Sequence, residues 1–286
     1  MRNAHGFTLI EIVVVLAIIG FIVAMGAMAT RAIVVSQKRS VTLSRMSGVD
    51  SALVQFVIVQ KRMPCPADGT QVAGSGSAGV EGAHDATGCT TNQANGVVPW
   101  TTLGISEADA TDGWDRRLTF RIDPTLAATS AMDMSYCDPA GTGDVYGSPP
   151  PRCNPNCASG ALASCTTPLK FLNTKGLKVQ NVAGTLVSMD PNPAPPNSPT
   201  GAAYVLISPG ESGGGAFLGS GQISASTVVD GGEEQKNYAA LPVSLPPGYY
   251  VDDGFMDGPN HFDDILSRPS VLAVINKASL GPRSHP

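Results

Sequence analysis

The sequence has little of what nucleic-acid-binding proteins and enzymes usually need. Its 286 residues include 18 lysines and arginines and 23 aspartates and glutamates, a net charge of −5, and the basic residues form no run. No nucleic acid partner is therefore expected, because binding to the phosphate backbone needs clustered positive charge. The four histidines, His5, His84, His261 and His285, stand in no recognisable catalytic motif. The sequence predicts that the protein is not an enzyme.

Charge is also missing from residues 7–30, with one exception. This stretch is apolar and contains a single ionisable side chain, Glu11. A charge near the middle of a bilayer costs about 2.5–3.5 kcal/mol on insertion scales, so an acid in such a segment usually has a function. Because about 20 apolar residues span a bilayer, the stretch predicts a transmembrane helix.

The start of this stretch, Gly6-Phe7-Thr8-Leu9-Ile10-Glu11, resembles the processing site of type IV pilins and of the pseudopilins of type II secretion systems. The resemblance implies that a prepilin peptidase cuts after Gly6 and methylates the new amino group of Phe7. It also implies that Glu11 is needed for assembly and pairs with the N-terminal amine of a neighbouring subunit. Such pairing is physically reasonable, because a carboxylate is tolerated in lipid when paired and a helix N-terminus is electropositive.

An ordinary signal peptide is the alternative interpretation of the N-terminus. Arg2, the apolar centre and Ala27-Met28-Ala29 fit a secretory signal with its cleavage site. Three features oppose it: the acidic Glu11 inside the apolar region, an apolar segment longer than the usual 7–15 residues, and a helical pattern that continues beyond residue 29.

Proline is absent from residues 31–62, which predicts that the helix continues to Pro64. A helix over residues 7–62 would be about 84 Å long. Its second half is amphipathic, with apolar residues at intervals of three and four that we expect to pack on the head: Met46, Val49, Leu53, Phe56 and Val57. Four basic side chains of this half are expected to face water or lipid headgroups: Arg31, Lys38, Arg39 and Arg45.

The six cysteines all follow the apolar segment: Cys65, Cys89, Cys137, Cys153, Cys157 and Cys165. An even number in an exported region predicts three disulfides in an oxidising periplasm. A zinc site at the Cys153-x3-Cys157 spacing is the alternative, but no nearby histidine or second paired motif accompanies it. Proximity along the chain favours a Cys65–Cys89 bridge, while the pairing of the other four, around residues 138–167, stays open.

The rest of the chain, residues 63–286, predicts one periplasmic head domain of the α+β class. The 32 glycines and 23 prolines of the whole chain indicate a loop-rich head with short strands. We expect an antiparallel sheet with long disulfide-stapled loops, strands at 118–122, 177–181, 186–189, 204–208 and 271–275, and a hairpin at 181–184. The predicted organisation is a leader (1–6), a transmembrane and polymerisation half-helix (7–30), an amphipathic half-helix (31–62) and the head. Trp114 is expected to pack on the helix.

The segment Gly210-Glu-Ser-Gly-Gly214 resembles the nucleophile segment of chymotrypsin-type serine proteases. Such an enzyme also needs a histidine base and an orienting carboxylate. None of the histidines lies in a suitable sequence context, so a tight turn over residues 210–215 explains the glycines better.

An acidic set near the C-terminus could bind Ca²⁺, which takes six to eight oxygen ligands: Asp252, Asp253, Asp257, Asp263 and Asp264. Some pseudopilins carry calcium in a C-terminal loop. The spacing follows no EF-hand pattern, however, and aspartates in Gly/Asn-rich loops are commonly solvated turn formers. Apart from this calcium, no cofactor is expected.

Together these features predict a structural minor pilin or pseudopilin subunit. Its expected partners are other pilin or pseudopilin subunits, the prepilin peptidase and the inner membrane. We expect a single-pass protein of the inner membrane with its head in the periplasm, later part of a type IV pilus or type II secretion pseudopilus. The alternative is a filament-tip adhesin or substrate-binding module that uses the Cys-rich loops.

Overall fold

The computed structural model describes residues 9–90, 95–137, 168–187, 201–225, 233–238, 248–258 and 261–282, without the side chains of residues 23–31 and 169–170. Four α-helices lie in these ranges: α1 (Leu9–Gln60), α2 (Trp100–Leu103), α3 (Pro168–Leu172) and α4 (Val271–Lys277). The strands are β1 (Ala67–Asp68), β2 (His84–Asp85), β3 (Gly88–Cys89), β4 (Gly96–Val97), β5 (Thr119–Ile122), β6 (Val179–Gln180), β7 (Tyr204–Ser208), β8 (Tyr250–Val251) and β9 (Ile265–Ser267).

The long first helix is confirmed over its described part. α1 has 52 residues and is about 78 Å long. It ends where Lys61 adopts a left-handed backbone conformation with φ 57°, and the Lys61 N–H donates to the Val57 carbonyl at 2.8 Å. Glycine is the usual residue at this position after a helix. Pro64 follows soon afterwards, as the sequence predicts.

One stripe of α1 is buried against the head. Met46, Val49, Leu53 and Val57 are at most 3% exposed, which confirms four of the five predicted packing residues. Phe56 is half-buried instead, with the Arg62 guanidinium 5.0 Å from its ring centroid. Because these positions recur every three or four residues, the stripe follows one side of the helix.

Two of the four basic residues on α1 contact the head, which corrects the expectation that they face water or lipid. Arg45 donates to the carbonyls of Thr111 and Asp112, at 3.1 and 2.9 Å. Lys38 places its Nζ 6.0 Å from the ring centroid of Trp114. Trp114 is half-buried and packs on the core, so its predicted contact with the helix is confirmed.

The predicted antiparallel sheet is present, with five strands in the order β1-β4-β5-β7-β9. Its centre is the pairing of β5 with β7, in register from Thr119↔Ile207 to Ile122↔Tyr204. All five residues of β7 are buried. Since side chains alternate along a strand, Tyr204 and Leu206 join the main core with α1, while Val205 and Ile207 join a second apolar cluster with Val179 and Tyr250. Two-stranded sheets are formed by β2 with β3 and by β6 with β8.

Strand predictions succeed best in the sheet centre. The strand at 204–208 is confirmed to the residue, while those at 118–122 and 177–181 are shorter than predicted. The hairpin turn at 181–184 is present, with the Gly184 N–H donating to the Asn181 carbonyl. In the predicted strand at 186–189, Leu186 forms an isolated bridge with Gln180, and residues 188–189 lie outside the described ranges.

The predicted strand at 271–275 is wrong, because these residues form α4. Ser270 caps the helix, and its Oγ accepts from the Ala273 N–H at 3.1 Å. Val271, Val274 and Ile275 are buried on one face at helical spacing. β-Branched residues favour strands. Here the capping bond of Ser270 and the packing of the helix on the core outweigh that preference and stabilise a helix.

Within the part of the chain that the structure describes, no helix has the length and hydropathy of a membrane-crossing segment.

Candidate functional site

The first turns of α1 carry apolar side chains on every side. Between Leu9 and Ile22, eleven large apolar side chains are exposed, from 49% for Val15 to 82% for Leu9. Because a helical turn holds 3.6 residues, this nearly continuous run covers the whole circumference. A helix that is apolar all round is normally buried in protein or lipid, and large exposed apolar surfaces mark interaction sites. This surface is the strongest candidate for a functional interface.

Glu11 lies in the first turn of α1 and is exposed. A carboxylate near a helix N-terminus is favoured by the helix dipole, typically by about 0.3–1 kcal/mol. The structure therefore places the predicted assembly residue on the otherwise uncharged surface. Gly6 and Phe7 lie outside the described residues, so cleavage and methylation there stay predictions.

The first polar contacts between the described side chains of α1 and the head lie between Lys38 and Arg45. The Thr42 hydroxyl donates to the Lys38 carbonyl at 2.9 Å and accepts from the Gly113 N–H at 2.9 Å. A Cβ on Gly113 would lie 2.3 Å from the Lys38 oxygen, so only glycine lets the two backbones approach this closely. Among the described side chains before Lys38, none is buried. The exposed apolar surface therefore belongs to a part of α1 that the head does not cover.

The predicted Cys65–Cys89 disulfide is confirmed, with a Cα–Cα distance of 5.8 Å. The loop that it closes is also tied to the end of α1, because Arg62 donates to both carboxylate oxygens of Glu81, at 2.8 and 2.9 Å. Burial raises the pKa of Glu81, but the bonds from Arg62 and the Cys65 N–H outweigh it and leave the pKa below its usual value.

The other predicted disulfides are only partly visible. Cys137 is disulfide-bonded, whereas Cys153, Cys157 and Cys165 lie outside the described residues. The loop at 138–167, on which the alternative of an adhesin or binding module depends, lies there as well.

The five aspartates of the predicted calcium set do not converge. Asp252 pairs with Arg268. Asp253 accepts from the Val182 N–H at 3.0 Å, and the exposed Asp257 accepts from the Gly258 N–H. Asp263 and Asp264, in contrast, are 6% and 5% exposed and lie beside other acidic groups.

These two aspartates belong to a buried polar cluster that we call the acidic cluster: Ser212, Glu234, His261, Asp263 and Asp264. Ser212 follows β7, Glu234 lies in the 3₁₀ helix Glu233–Asn237, and the others immediately precede β9. Ligand atoms of Glu234, His261 and Asp263 lie within 4.8 Å of one another.

Burial and neighbouring negative charge act together on the carboxyl groups of the acidic cluster. Burial and the nearby Asp263 raise the pKa of Glu234 to about 7. Burial and Glu234 raise the pKa of Asp264 well above its ordinary value. Both shifts show that these carboxyl groups are held where a negative charge is disfavoured.

Ser212, the serine of the protease-like segment, is 2% exposed. Its Oγ contacts Asp263 Oδ1 at 2.9 Å and Glu234 Oε1 at 3.0 Å, whereas a serine nucleophile needs an accessible oxygen and a histidine base. The predicted tight turn is confirmed. Gly210 has φ 59°, and a Cβ on it would lie 2.4 Å from the Asp263 carbonyl oxygen.

Sequence reasoning missed Ser212 and Glu234 as members of the acidic cluster. Glu234 stands in the acidic stretch Glu233-Glu234 with no motif around it. No local signal could have joined these residues to Asp263, since the contact exists only after β7 and β9 pair.

No curated protein and no solved structure gives a match to this chain. Residues 1–27, however, match the family model of the prokaryotic N-terminal methylation motif. This match shows that the N-terminus of the chain carries the type IV pilin and pseudopilin signature. Together with the exposed apolar start of α1, the motif supports a pilin- or pseudopilin-type precursor.

Proposed function

We propose that this protein is a minor pilin or pseudopilin subunit, cleaved after Gly6 and methylated on Phe7. The apolar half of its long helix anchors it in the inner membrane with the head in the periplasm. The subunit then enters a type IV pilus or a type II secretion pseudopilus. Proteins with this motif are structural rather than catalytic, which agrees with a buried Ser212 and with the lack of a catalytic motif in the sequence.

One observation supports this proposal above the others: the first turns of α1 expose apolar side chains all round, interrupted by Glu11 alone. In lipid or in a bundle of such helices this surface is covered. Its removal from water stabilises that state by about 25 cal/mol per Å² of apolar area. Glu11 must then be paired, because an isolated carboxylate in that environment is costly. The methylated amine of Phe7 on a neighbouring subunit supplies a positive partner in the same helix layer.

The experiment is Glu11→Ala in cells that assemble the filament. We expect the variant to remain in the membrane fraction, since it is more apolar, but to be lost from sheared or purified filaments by at least tenfold. Ile10→Ala, one residue away on the same exposed surface, is the matched control, because it removes apolar area but keeps the carboxylate, and its loss from filaments should be much smaller than tenfold. Mass spectrometry of the N-terminus should find N-methylated Phe7 in both.

Two results of this experiment would overturn the proposal. Normal incorporation of Glu11→Ala would remove the assembly role of the carboxylate. A mature N-terminus near residue 30 would show that an ordinary signal peptidase had processed the chain.

A further inference from the structure

The acidic cluster holds a set of ligand atoms for which the structural role of the subunit gives no account. Glu234, His261 and Asp263 come from two separate segments of the chain, yet their ligand atoms lie within 4.8 Å of one another. The two carboxylates are 5% and 6% exposed, and the histidine side chain is 17% exposed. Two carboxylates and an imidazole that converge in a buried place are a donor set that divalent metals bind.

The imidazole of His261 is placed for a metal rather than for a hydrogen bond. Its Nε2 is buried and makes no hydrogen bond with the described residues. Asp263 Oδ1 lies 3.6 Å away, which is too long for a hydrogen bond. Two ligands of a tetrahedral ion bound at 2.0–2.1 Å are about 3.3 Å apart, so the separation suits a shared ion.

Hydrogen-bond donors satisfy the two carboxylates only in part. The Ser212 N–H donates to Asp263 Oδ2 at 2.8 Å, and the Asp263 N–H donates to the Glu234 carboxylate. Ser212 Oγ lies within 3.0 Å of Asp263 Oδ1, Glu234 Oε1 and the Pro209 carbonyl. A hydroxyl carries one proton, so it serves one of these three acceptors at a time. The carboxylate oxygens that the hydroxyl proton does not reach, among Asp263 Oδ1 and Glu234 Oε1, are the atoms that a shared proton or a cation would serve.

Asp264 adds a third buried carboxylate beside the first two. Its Oδ2 accepts from Asn237 Nδ2 at 2.8 Å, while its Oδ1 has no hydrogen-bond partner within the described ranges. The contact with His261 is the one ion pair that the described residues provide for these three carboxylates. Burying an unpaired charge is costly, so a divalent cation between two of these carboxylates would offset a large penalty.

We infer that Glu234, His261 and Asp263 bind one divalent cation of the zinc type. Imidazole favours Zn²⁺ over Ca²⁺, which prefers six to eight oxygen ligands. Two carboxylates and a neutral imidazole also balance the charge of the ion. Ser212 Oγ, which already contacts both carboxylates, can supply a fourth ligand.

The bound ion stabilises the head rather than reacting. It joins the 3₁₀ helix Glu233–Asn237 to the segment before β9, directly beside the turn that follows β7. Binding requires deprotonated carboxylates and a neutral imidazole, so it couples to folding of this region.

The test uses the full-length chain without a histidine tag, purified in mild detergent and freed of metal with a chelator. Bound metal is measured by elemental mass spectrometry, and the melting temperature by the fluorescence of Trp100 and Trp114. Zn²⁺ should bind at one ion per chain. At a hundredfold excess over Kd, it should raise the melting temperature by about 5–10 °C. His261→Gln should weaken Zn²⁺ binding at least tenfold, whereas the exposed His84→Gln should leave it unchanged.

Three results would overturn the inference. The first is a wild-type chain that binds no Zn²⁺, which would mean that protons alone hold the acidic cluster together. The second is an equal response of His261→Gln and wild type. The third is a larger stabilisation by Ca²⁺ than by Zn²⁺, which would assign the cluster to the oxygen-ligand class.

A variant of a buried cluster can unfold, so a second measurement uses the wild-type chain alone. Co²⁺ in a four-coordinate nitrogen and oxygen site absorbs visible light, and this absorption should appear on titration and disappear when Zn²⁺ is added. If no such bands form, the assigned site is wrong whatever the variants do.

Discussion

The parts of α1 before and after Lys38 share one backbone conformation but have opposite surfaces. Before Lys38, the apolar side chains point in all directions and none that the structure describes is buried. After it, one stripe is buried and the other sides are polar or exposed. The second part is therefore folded against its own head, whereas the first part leaves exposed the apolar surface for which we propose lipid or neighbouring subunits as partners. Any substitution should affect folding or assembly according to the part in which it lies.

The largest expected effect comes from the buried stripe. Leu53→Ala removes a fully buried side chain between α1 and the sheet and should lower the free energy of unfolding by about 3 kcal/mol, through lost burial and the cavity left behind. In a domain of this size the melting temperature should fall by about 6–12 °C. The fluorescence of Trp100 and Trp114, both in the head, measures it in the detergent-solubilised chain.

Ile12→Ala is the matched control, because it removes a similar side chain from the exposed part of the same helix. It should leave the melting temperature of the head unchanged and act on filament incorporation instead. Equal destabilisation by the two substitutions would mean that the first part of α1 also packs on the head. The two parts of the helix would then not differ in role.

The sequence predicted the length of α1 and its stripe because both follow from regular periods and from the missing proline. It also predicted β7, whose five residues are all buried and begin with the apolar run Tyr204-Val-Leu-Ile207. It failed at α4, where the capping bond of Ser270 outweighs a β-branched composition. It grouped five aspartates by their closeness in sequence, although members such as Asp257, which is exposed, and Asp263, which is buried, have different surroundings in space.

A smaller effect is expected at Thr42, which lies among the first polar contacts between the helix and the head. Thr42→Val keeps the shape of the side chain but removes the acceptor of the Gly113 N–H. An unsatisfied buried donor costs about 1–3 kcal/mol, so we expect a loss of about 1–2 kcal/mol. Ser51→Ala is the control, because Ser51 also donates to the carbonyl four residues earlier but is exposed. A similar loss in both variants would show that the bond within the helix, and not the contact with Gly113, is responsible.

The smallest effect concerns the other end of the packed part, where Glu81 joins the first disulfide loop to Arg62. The pKa of Glu81 is lowered in the folded protein, since the bonds from Arg62 outweigh the effect of burial. A group with a lowered folded pKa stabilises the protein above its unfolded pKa, and this contribution is lost as pH falls through the folded value. The stability difference between wild type and Glu81→Gln should therefore be largest above pH 4.5, the unperturbed value, and shrink below it. The exposed Asp109→Asn should follow the wild-type curve. If the difference instead stays constant with pH, the ionised pair with Arg62 does not hold the loop, and the head clamps the end of α1 by packing and the disulfide alone.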